Sequence, residues 1–268
     1  MQIKFWGVRG SIAVSGSKYV RTGGNTTCLE LIDQGHRLIL DGGTGLRSLG
    51  EQISPEETNI TMLFTHAHWD HIQGIPFFSP AFNPEATIRM IGAHNLSSAI
   101  AAQMQPPIFP IRLNQIPATL NFETIAIGTP VEIGPFVVDA LPVSHPNGVL
   151  AFRIQSGHRT IVFATDNELD AEIDPNLISF AADADLLIHD AQYTDAEYCG
   201  IDGPSRRGWG HSSWESAVTL AQRAGVHQLA LFHHDPRRED SGVEQIERHA
   251  VARFAGSIAA REGMVLSV

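Results

Sequence analysis

Apolar runs of strand length, separated by glycine, proline and short polar turns, recur along nearly the whole chain. Each run of this kind predicts a β-strand, because four to eight apolar or alternating residues are too few for an ordinary helix. The predicted strands cover residues 2–6, 27–32, 37–40, 59–64, 131–133, 136–141, 150–155, 160–164, 185–188 and 228–232. After a polar first residue, the last two are apolar, which is typical of buried strands.

Three segments have apolar residues at helical spacing instead. The clearest is 212–224, where three alanines and Leu220 fall on one side and Gly225 supplies a residue that commonly ends a helix. Further helices are predicted at 94–104 and 244–254. The rest of the proline- and aromatic-rich segment 76–110 is predicted as loop.

Two segments of the chain resemble each other. Residues 28–42 and 151–166 each have the pattern of a hairpin that contains Gly-His-Arg and runs into an aspartate, Asp41 in the first and Asp166 in the second. The alternative is a chance match of this length, and a duplicated β-rich half is the better interpretation because it explains the matching order of elements. Two such sheets packed face to face, with helices outside, predict an α/β fold of the four-layer αββα sandwich type, formed by residues 1–268 as a single domain.

Composition and charge restrict the partners and the compartment. The 268 residues are 43% hydrophobic and have a formal net charge of −11, without a run of Lys or Arg, so we expect a small anionic substrate and no long nucleic acid. Cys28 and Cys199 suggest no disulfide framework. No secretory h-region and no membrane-length apolar run is visible, so the expected location is cytoplasmic. The sequence is compatible with a homodimer.

The densest chemical signal is the segment Thr-His-Ala-His-Trp-Asp-His at residues 65–71, directly after a predicted strand. In an extended segment, side chains two residues apart share a side, so His66 and His68 can bind one metal ion. The chain then turns into a predicted helix start, where Asp70 and His71 can face a second ion. The alternative is a solvated histidine-rich loop, which four such residues within six positions disfavour. Imidazole and carboxylate ligands suit zinc, manganese or iron.

This His-x-His-x-Asp-His pattern resembles the signature of the metallo-β-lactamase superfamily, and the likeness extends over nearly the whole chain. The glycine-rich turn at Asp41 resembles the family's structural Asp-Gly turn. The resemblance implies a third histidine, His145, a bridging carboxylate, Asp166, and a last histidine after a late apolar strand. It also implies two divalent metal ions, with zinc as the first choice and manganese or iron as alternatives.

The last histidine has two candidates, because His233 and His234 are adjacent in the segment Ala-Leu-Phe-His-His-Asp-Pro. Adjacent residues of a strand point to opposite faces, so only one of the two can bind. The family's usual ending aligns best with His233, and the expected site is therefore His66, His68, Asp70, His71, His145, Asp166 and His233.

A second pair of residues indicates the branch of the family. Asp190 ends the segment Leu-Leu-Ile-His-Asp, and His211 opens Gly-His-Ser-Ser before a predicted helix. Both resemble the ribonuclease Z and phosphodiesterase branch, with Ser213 in place of a threonine. The resemblance implies that Asp190 orients His211 for proton donation. The alternative is that His211 merely precedes a serine N-cap.

The predicted function is hydrolysis of a small phosphodiester, such as a cyclic nucleotide or a cyclic ribose phosphate, at a binuclear metal centre. In this reading Asp70 also orients the nucleophile, and His211 protonates the leaving group. Ribonuclease Z itself fits less well, because its substrate-binding arm lies between the third histidine and the bridging aspartate, where this chain has room only for a hairpin. Carbonyl hydrolysis of a lactone, thioester or β-lactam at the same site, and a non-catalytic ligand sensor, remain alternatives.

Two further features are candidates for substrate contact. Asn25 lies in the glycine-rich loop at residues 21–27, which a plain tight turn explains as well. Trp69, within the metal motif, could stack a base. An aromatic wall is the wider form of this hypothesis, and ordinary packing is its alternative; its members would be Trp69, Phe77, Phe78, Phe82 and Trp209.

Overall fold

A computed structural model describes residues 1–170, 172–201 and 203–268, and within them the strands form two seven-stranded sheets. The first sheet contains β1 (Gln2–Gly7), β2 (Cys28–Asp33), β3 (His36–Leu40), β4 (Asn59–Leu63), β5 (Thr87–Gly92), β6 (Thr119–Thr124) and β14 (Val265–Ser267). The second contains β7 (Val131–Ile133), β8 (Phe136–Val143), β9 (Val149–Ser156), β10 (Arg159–Ala164), β11 (Leu186–Asp190), β12 (Gln228–Phe232) and β13 (Ser257–Ala259).

Helices lie on the outer faces of both sheets. They are α1 (Gly45–Gly50), α2 (Trp69–Ile72), α3 (Leu96–Gln103), α4 (Pro175–Ala181), α5 (Asp195–Cys199), α6 (Trp214–Ala224) and α7 (Asp240–Arg253), with 3-10 turns at Ile75–Phe77, Ser79–Phe82 and Leu113–Gln115. Helix α6 begins at the N-cap Ser213, whose hydroxyl accepts a hydrogen bond from Ser216 N at 3.1 Å, and ends at Gly225 with φ +67°. Both ends satisfy backbone groups that the helix leaves unpaired.

Three buried apolar clusters separate four layers. The central one packs the two sheets face to face, with Phe5 of β1 and Phe163 of β10 both in contact with Phe232 of β12. The second lies between the second sheet and helices α4, α6 and α7, and the third lies between the first sheet and helices α1, α2 and α3. The predicted αββα sandwich is therefore confirmed, because the central strands bury side chains on both faces.

The two sheets repeat the same pattern of strand pairing. In the first sheet, β1, β2 and β3 pair antiparallel, and β3, β4, β5 and β6 then pair parallel. In the second sheet, β8, β9 and β10 pair antiparallel, and β10, β11, β12 and β13 pair parallel. This equivalence supports the duplication inferred from the two Gly-His-Arg hairpins, since both hairpins occupy the same position in their sheets.

The structure corrects the prediction for residues 76–110. This segment contains strand β5 in addition to helix α3, and β6 follows it at the edge of the same sheet. Prolines on both sides of β5 favoured a loop, but its residues alternate between half-buried and buried positions. Arg89 of β5 also pairs with Glu123 of β6 at 2.7 Å, a cross-strand contact between residues far apart in the sequence.

A short stretch after β1 connects the site end of the first sheet to the loop after β12. Val8 O accepts a hydrogen bond from His234 N, and Gly10 N donates to His234 O, both at 3.0 Å. Between them, the fully buried Arg9 donates to three backbone carbonyls, those of Gly23 at 2.8 Å, Asp235 at 3.2 Å and Arg238 at 2.7 Å. Arg9 therefore fixes three loops to one another in the interior.

No helix in the described ranges combines the length and the apolar character needed to cross a lipid bilayer.

We expect Arg9→Met to lower the free energy of unfolding by about 3 kcal/mol, because methionine fills the space but leaves buried carbonyls without donors. The matched control is Arg47→Met, since the Arg47 side chain is 62% exposed and pairs with Glu51 on the helix surface. The control change should stay within about 0.5 kcal/mol. Urea denaturation measures both, and equal losses in the two variants would contradict the assigned role of Arg9.

Candidate metal centre

The predicted site residues meet at one end of the sandwich, where five strands end. His66, His68, Asp70 and His71 follow β4, His145 follows β8, Asp166 follows β10, Asp190 ends β11, and His233 follows β12. Asp166 and His233 have left-handed backbones, with φ of +50° and +59°. The conformation is uncommon outside glycine and asparagine, and here it belongs to two residues whose side chains face the shared centre.

The first cluster consists of His66, His68 and His145. One ring nitrogen from each lies within 4.8 Å of the others, and His145 Nε2 is 3.1 Å from His68 Nδ1. Burial lowers the pKa of all three imidazoles, most strongly that of His66, and the opposing effect of the Asp166 carboxylate is smaller. Neutral imidazole is the form that binds a metal ion, so this cluster is suited to hold one.

The second cluster consists of Asp70, His71, Asp166 and His233, all of them buried. Asp70 Oδ2 lies 3.4 Å from His71 Nε2 and 3.3 Å from His233 Nε2. Asp166 Oδ2 lies 2.9 Å from His71 Nε2 and 3.2 Å from His233 Nε2. A tetrahedral ion with bonds of 2.0–2.2 Å separates its ligands by about 3.3–3.6 Å, so these four atoms are placed near the corners of such a polyhedron.

The opposite ring nitrogens are held by hydrogen bonds that fix the tautomers. His66 Nδ1 pairs with Thr65 Oγ1 at 3.1 Å, His71 Nδ1 with Asp41 Oδ2 at 2.9 Å, His145 Nδ1 with Gly210 O at 2.8 Å, and His233 Nδ1 with Gln192 Oε1 at 2.9 Å. When each Nδ1 donates, each Nε2 keeps its lone pair for the centre. The Nε2 atom of His66 is buried and makes no hydrogen bond with the described residues, and the Nε2 atom of His71 faces only the carboxylates of Asp70 and Asp166. The donor set therefore fits metal ions.

The buried charges of the second cluster also fit a metal site. Burial alone would raise the pKa values of Asp70 and Asp166, but the neighbouring histidines, above all His71 and His233, hold both well below the ordinary value. Burial would likewise lower the pKa of His71, and Asp166, Asp70 and Asp41 raise it well above the ordinary value instead. A centre of this kind is stable only with positive charge inside it, which a divalent cation supplies.

Asp41 supports the centre through hydrogen bonds to Thr65 and His71. Its carboxylate accepts hydrogen bonds from Thr65 N at 2.8 Å, Thr65 Oγ1 at 2.9 Å and His71 Nδ1. The sequence identified the turn at Asp41 but did not assign these contacts. Asp41 has φ +58°. Asp166, which follows the equivalent strand in the second half of the chain, has φ +50°. A strand followed by an aspartate in this conformation is thus used twice.

Two supporting residues were missed by the sequence analysis. Gln192 orients His233, and Asn147 Nδ2 lies 3.2 Å from His68 Nε2. If His68 Nδ1 faces an ion, its Nε2 carries the proton, and the Asn147 amide would then present its oxygen instead. Neither residue belongs to a motif of the sequence; Asn147 lies two residues after His145, in a turn where it has φ +67°.

Asp190 and His211 are brought together as predicted. His211 Nδ1 pairs with Asp190 Oδ2 at 2.8 Å, while Asp190 Oδ1 accepts a hydrogen bond from Ser212 N at 3.1 Å. The His211 ring stacks on His233 with centroids 5.0 Å apart and lines a cavity of about 530 Å³ next to the centre. Burial lowers the pKa of His211, but the Asp190 carboxylate outweighs it and raises the value to about 9.

The structure limits the predicted substrate contacts. The Asn25 side chain donates to Glu262 Oε2 at 3.2 Å, so it joins its loop to the C-terminal segment rather than facing the metal clusters. Trp69 is 60% exposed beside the centre and remains available to a ligand. Phe78 is fully buried in the third apolar cluster, which removes it from the predicted aromatic wall. Phe82 lines a separate cavity with Ile53.

The two adjacent histidines have different surroundings. His233 Nε2 faces Asp70 and Asp166, whereas His234 Nε2 pairs with Ala260 O at 3.0 Å on the far side of the chain. We expect His233→Ala to lower the bound metal measured by elemental analysis by about one ion per chain, and His234→Gln to retain the full content. Loss of metal in the His234 variant, with His233→Ala unchanged, would place the ligand one residue later.

We expect Asp41→Asn to weaken metal affinity by about 10–100-fold, because the amide keeps the volume but loses the charge that orients His71. The control is Asp33→Asn at the opposite end of the β2–β3 hairpin, where the carboxylate accepts from Ser156 Oγ at 2.5 Å and is not part of either cluster. Competition with a chromophoric chelator measures both affinities. Equal affinities in the Asp41 variant and the unmodified chain would remove Asp41 from the support of the centre.

Comparison with known proteins agrees with this geometry. The family model described as the Beta-lactamase superfamily domain matches residues 36–234. A probable metallo-hydrolase of Bacillus subtilis, YhfI, is 27% identical over 220 residues, which are 77% of this chain and 81% of that protein. A ribonuclease Z of Bradyrhizobium diazoefficiens is 24% identical over 279 residues, 85% of this chain and 86% of that protein.

Solved structures share the fold at lower sequence identity. A diphosphatase from the PhnP family superposes with a TM-score of 0.75 and 16% identity, covering 100% of this chain and 97% of that one. Zn(2+)-bound PqqB from Methylobacterium extorquens superposes with a TM-score of 0.76 and 16% identity, covering both chains completely. With the family model, the fold and the histidine–aspartate clusters in agreement, this chain belongs to the metallo-β-lactamase superfamily.

Proposed function

We propose that the protein is a binuclear metal-dependent phosphodiesterase that hydrolyses a small phosphodiester, such as a cyclic nucleotide or a cyclic ribose phosphate. The observation that carries the proposal is the Asp190–His211 pair, which sits against His145 and His233 and faces the cavity next to the centre. A phosphodiester releases a basic alkoxide, so its cleavage gains from a positioned proton donor at this place.

The proposed ligands are His66, His68 and His145 for one ion, Asp70, His71 and His233 for the other, and Asp166 between them. Such ions, when bound, act as Lewis acids on phosphoryl oxygens and lower the pKa of water toward neutrality. Zinc is the first choice, because the donors are imidazoles and carboxylates and PqqB, a structure of the same fold, binds Zn(2+). Manganese and iron accept the same donors.

The chain's own residues would hold the reacting groups in place. Asp70 Oδ2 accepts a hydrogen bond from Ser11 N at 2.7 Å, which fixes the carboxylate for orienting an attacking water. His211 lines the cavity and has Nδ1 committed to Asp190, so its Nε2 would give a proton to the departing oxygen. The carboxylate keeps this tautomer and supports the charged imidazole before the proton is transferred.

The expected substrate is small and anionic. The adjacent cavity of about 530 Å³ has the volume of a typical small-molecule pocket. Between His145 and Asp166 the chain forms the β9–β10 hairpin, in the interval where ribonuclease Z has its substrate-binding arm. The net charge of −11 also disfavours a long nucleic acid. These features favour a nucleotide-sized ligand over a tRNA, although ribonucleases Z are among the relatives.

Two other functions use parts of the same arrangement. A carbonyl hydrolase acting on a lactone, thioester or β-lactam would need the centre but would have less use for the Asp190–His211 pair. A non-catalytic ligand sensor would need neither the complete donor set nor the proton donor. Because the complete donor set and the positioned proton donor occur together, they favour the phosphodiesterase over these two functions.

We expect His211→Ala to lose about 10²–10⁴-fold in rate on a cyclic nucleotide and far less on bis-p-nitrophenyl phosphate, with metal content unchanged. The reason is that a ribose alkoxide needs a proton on leaving, whereas p-nitrophenolate is a weak base. Asp190→Asn should show the same pattern more mildly. Steady-state kinetics on both substrates, with elemental analysis of each variant, make the measurement.

His158→Ala is the matched control, because His158 is exposed at the β9–β10 turn and should retain both activities. Equal losses on both substrates in His211→Ala would assign this residue a binding role instead. No loss on either substrate would reopen carbonyl hydrolysis as the function.

A further inference from the structure

One arginine stands out on the wall of the cavity beside His211. Besides His211, the cavity is lined by Tyr193, Arg206, Trp209, Asp235 and Arg237, among others. Arg206 is half-buried, and its Nε is inaccessible to solvent without a hydrogen-bond partner in the described residues. In a chain of net charge −11, a cation at this position is a specific feature of the pocket.

The neighbouring arginines are already committed to carboxylates. Arg237 makes a two-point contact with Asp235, at 3.0 Å from Nε and 2.7 Å from Nη2. Arg238 donates to Glu197 and, at 3.2 Å, to Gln192 O. For Arg206, the residues 1–170, 172–201 and 203–268 supply no carboxylate within ion-pair distance. Within the described ranges, the guanidinium of Arg206 is therefore the one on this wall that no carboxylate pairs with.

Arg206 is also held in place by aromatic rings. Its Cζ lies 5.4 Å from the Tyr193 ring centroid and 4.9 Å from that of Trp209, within the range of cation–π contacts. The loop that carries it is fixed, because Gly208 N and Gly210 N both donate to the Glu168 carboxylate at 2.7 Å. A guanidinium ordered in this way loses little entropy when it binds an anion.

Tyr193 lies next to both Arg206 and the proton donor. The Tyr193 ring centroid is 6.0 Å from that of His211 and 5.4 Å from Arg206 Cζ. All three residues line the same cavity, so a ligand in this cavity can meet both His211 and Arg206.

We propose that Arg206 binds a second phosphate of the substrate, a phosphate monoester carried by the leaving group, so that the preferred substrate is a phosphodiester with two separate phosphates. This inference rests on the proposed function, because it takes the scissile phosphate to lie at the metal centre. Arginine suits the task because its planar donors match a phosphate in a two-point contact.

The test compares adenosine 3′,5′-bisphosphate with the two monophosphates, 3′-AMP and 5′-AMP, by titration calorimetry on the metal-loaded chain. The unmodified protein should bind the bisphosphate tighter than either monophosphate, on the order of 10- to 100-fold. In Arg206→Ala this ratio should fall to about 1, and in Arg206→Lys it should be intermediate, since lysine keeps the charge without the fork.

Arg207→Ala is the matched control, with the same charge change one residue along. Arg207 is 56% exposed and lies over Tyr198, outside the cavity, so this variant should keep both the ratio and the hydrolysis of bis-p-nitrophenyl phosphate. An unchanged ratio in Arg206→Ala, or no preference in the unmodified chain, would overturn the proposal. Hydrolysis is read separately, so absent phosphodiesterase activity with a retained binding ratio would contradict the function and not the role of Arg206.

Discussion

Compensation of buried negative charge is the constraint on which the rest of the site depends. Four aspartates at one end of the sandwich are at most 6% exposed to solvent; they are Asp41, Asp70, Asp166 and Asp190. Isolated carboxylates in such an interior would be neutralised or would destabilise the fold. Here each one faces imidazoles: Asp41 faces His71, Asp70 and Asp166 face His71 and His233, and Asp190 faces His211. The cluster is thus an arrangement of buried negative charge and imidazoles that could hold a metal ion.

The layered fold provides the place where this charge can be gathered. Strands buried on both faces fix their own ends rigidly, because any shift would disturb two apolar clusters at once. Beyond those ends, Asp41, Asp166 and His233 adopt left-handed backbones, a conformation that costs about 1–3 kcal/mol per residue. The rigid strands hold these residues in the left-handed conformation. This conformation directs their polar side chains between the ends of the two sheets.

The sequence predicted the parts of the site that depend on local spacing. The motif at 66–71 follows from the spacing of its residues after an apolar strand, whereas the resemblance to the family supplied the five later residues His145, Asp166, Asp190, His211 and His233. Gln192 and Asn147 were not predictable in this way, because an amide becomes a support only when folding places it against a particular ring. Strand β5 was missed for a related reason: its partner β6 lies outside any local window, and nearby prolines favoured a loop.

The centre and its surroundings divide the chemistry between them. The seven clustered donors determine that a phosphoryl or carbonyl oxygen can be activated, and that much is compatible with every hydrolase of the fold. Under the proposed function, selection among substrates comes from the wall that His211 shares with Tyr193, Arg206 and Trp209, since this wall would meet the leaving group. Within a strongly acidic chain, the positive charge of Arg206 would then attract a small anion locally rather than through the field of the whole protein.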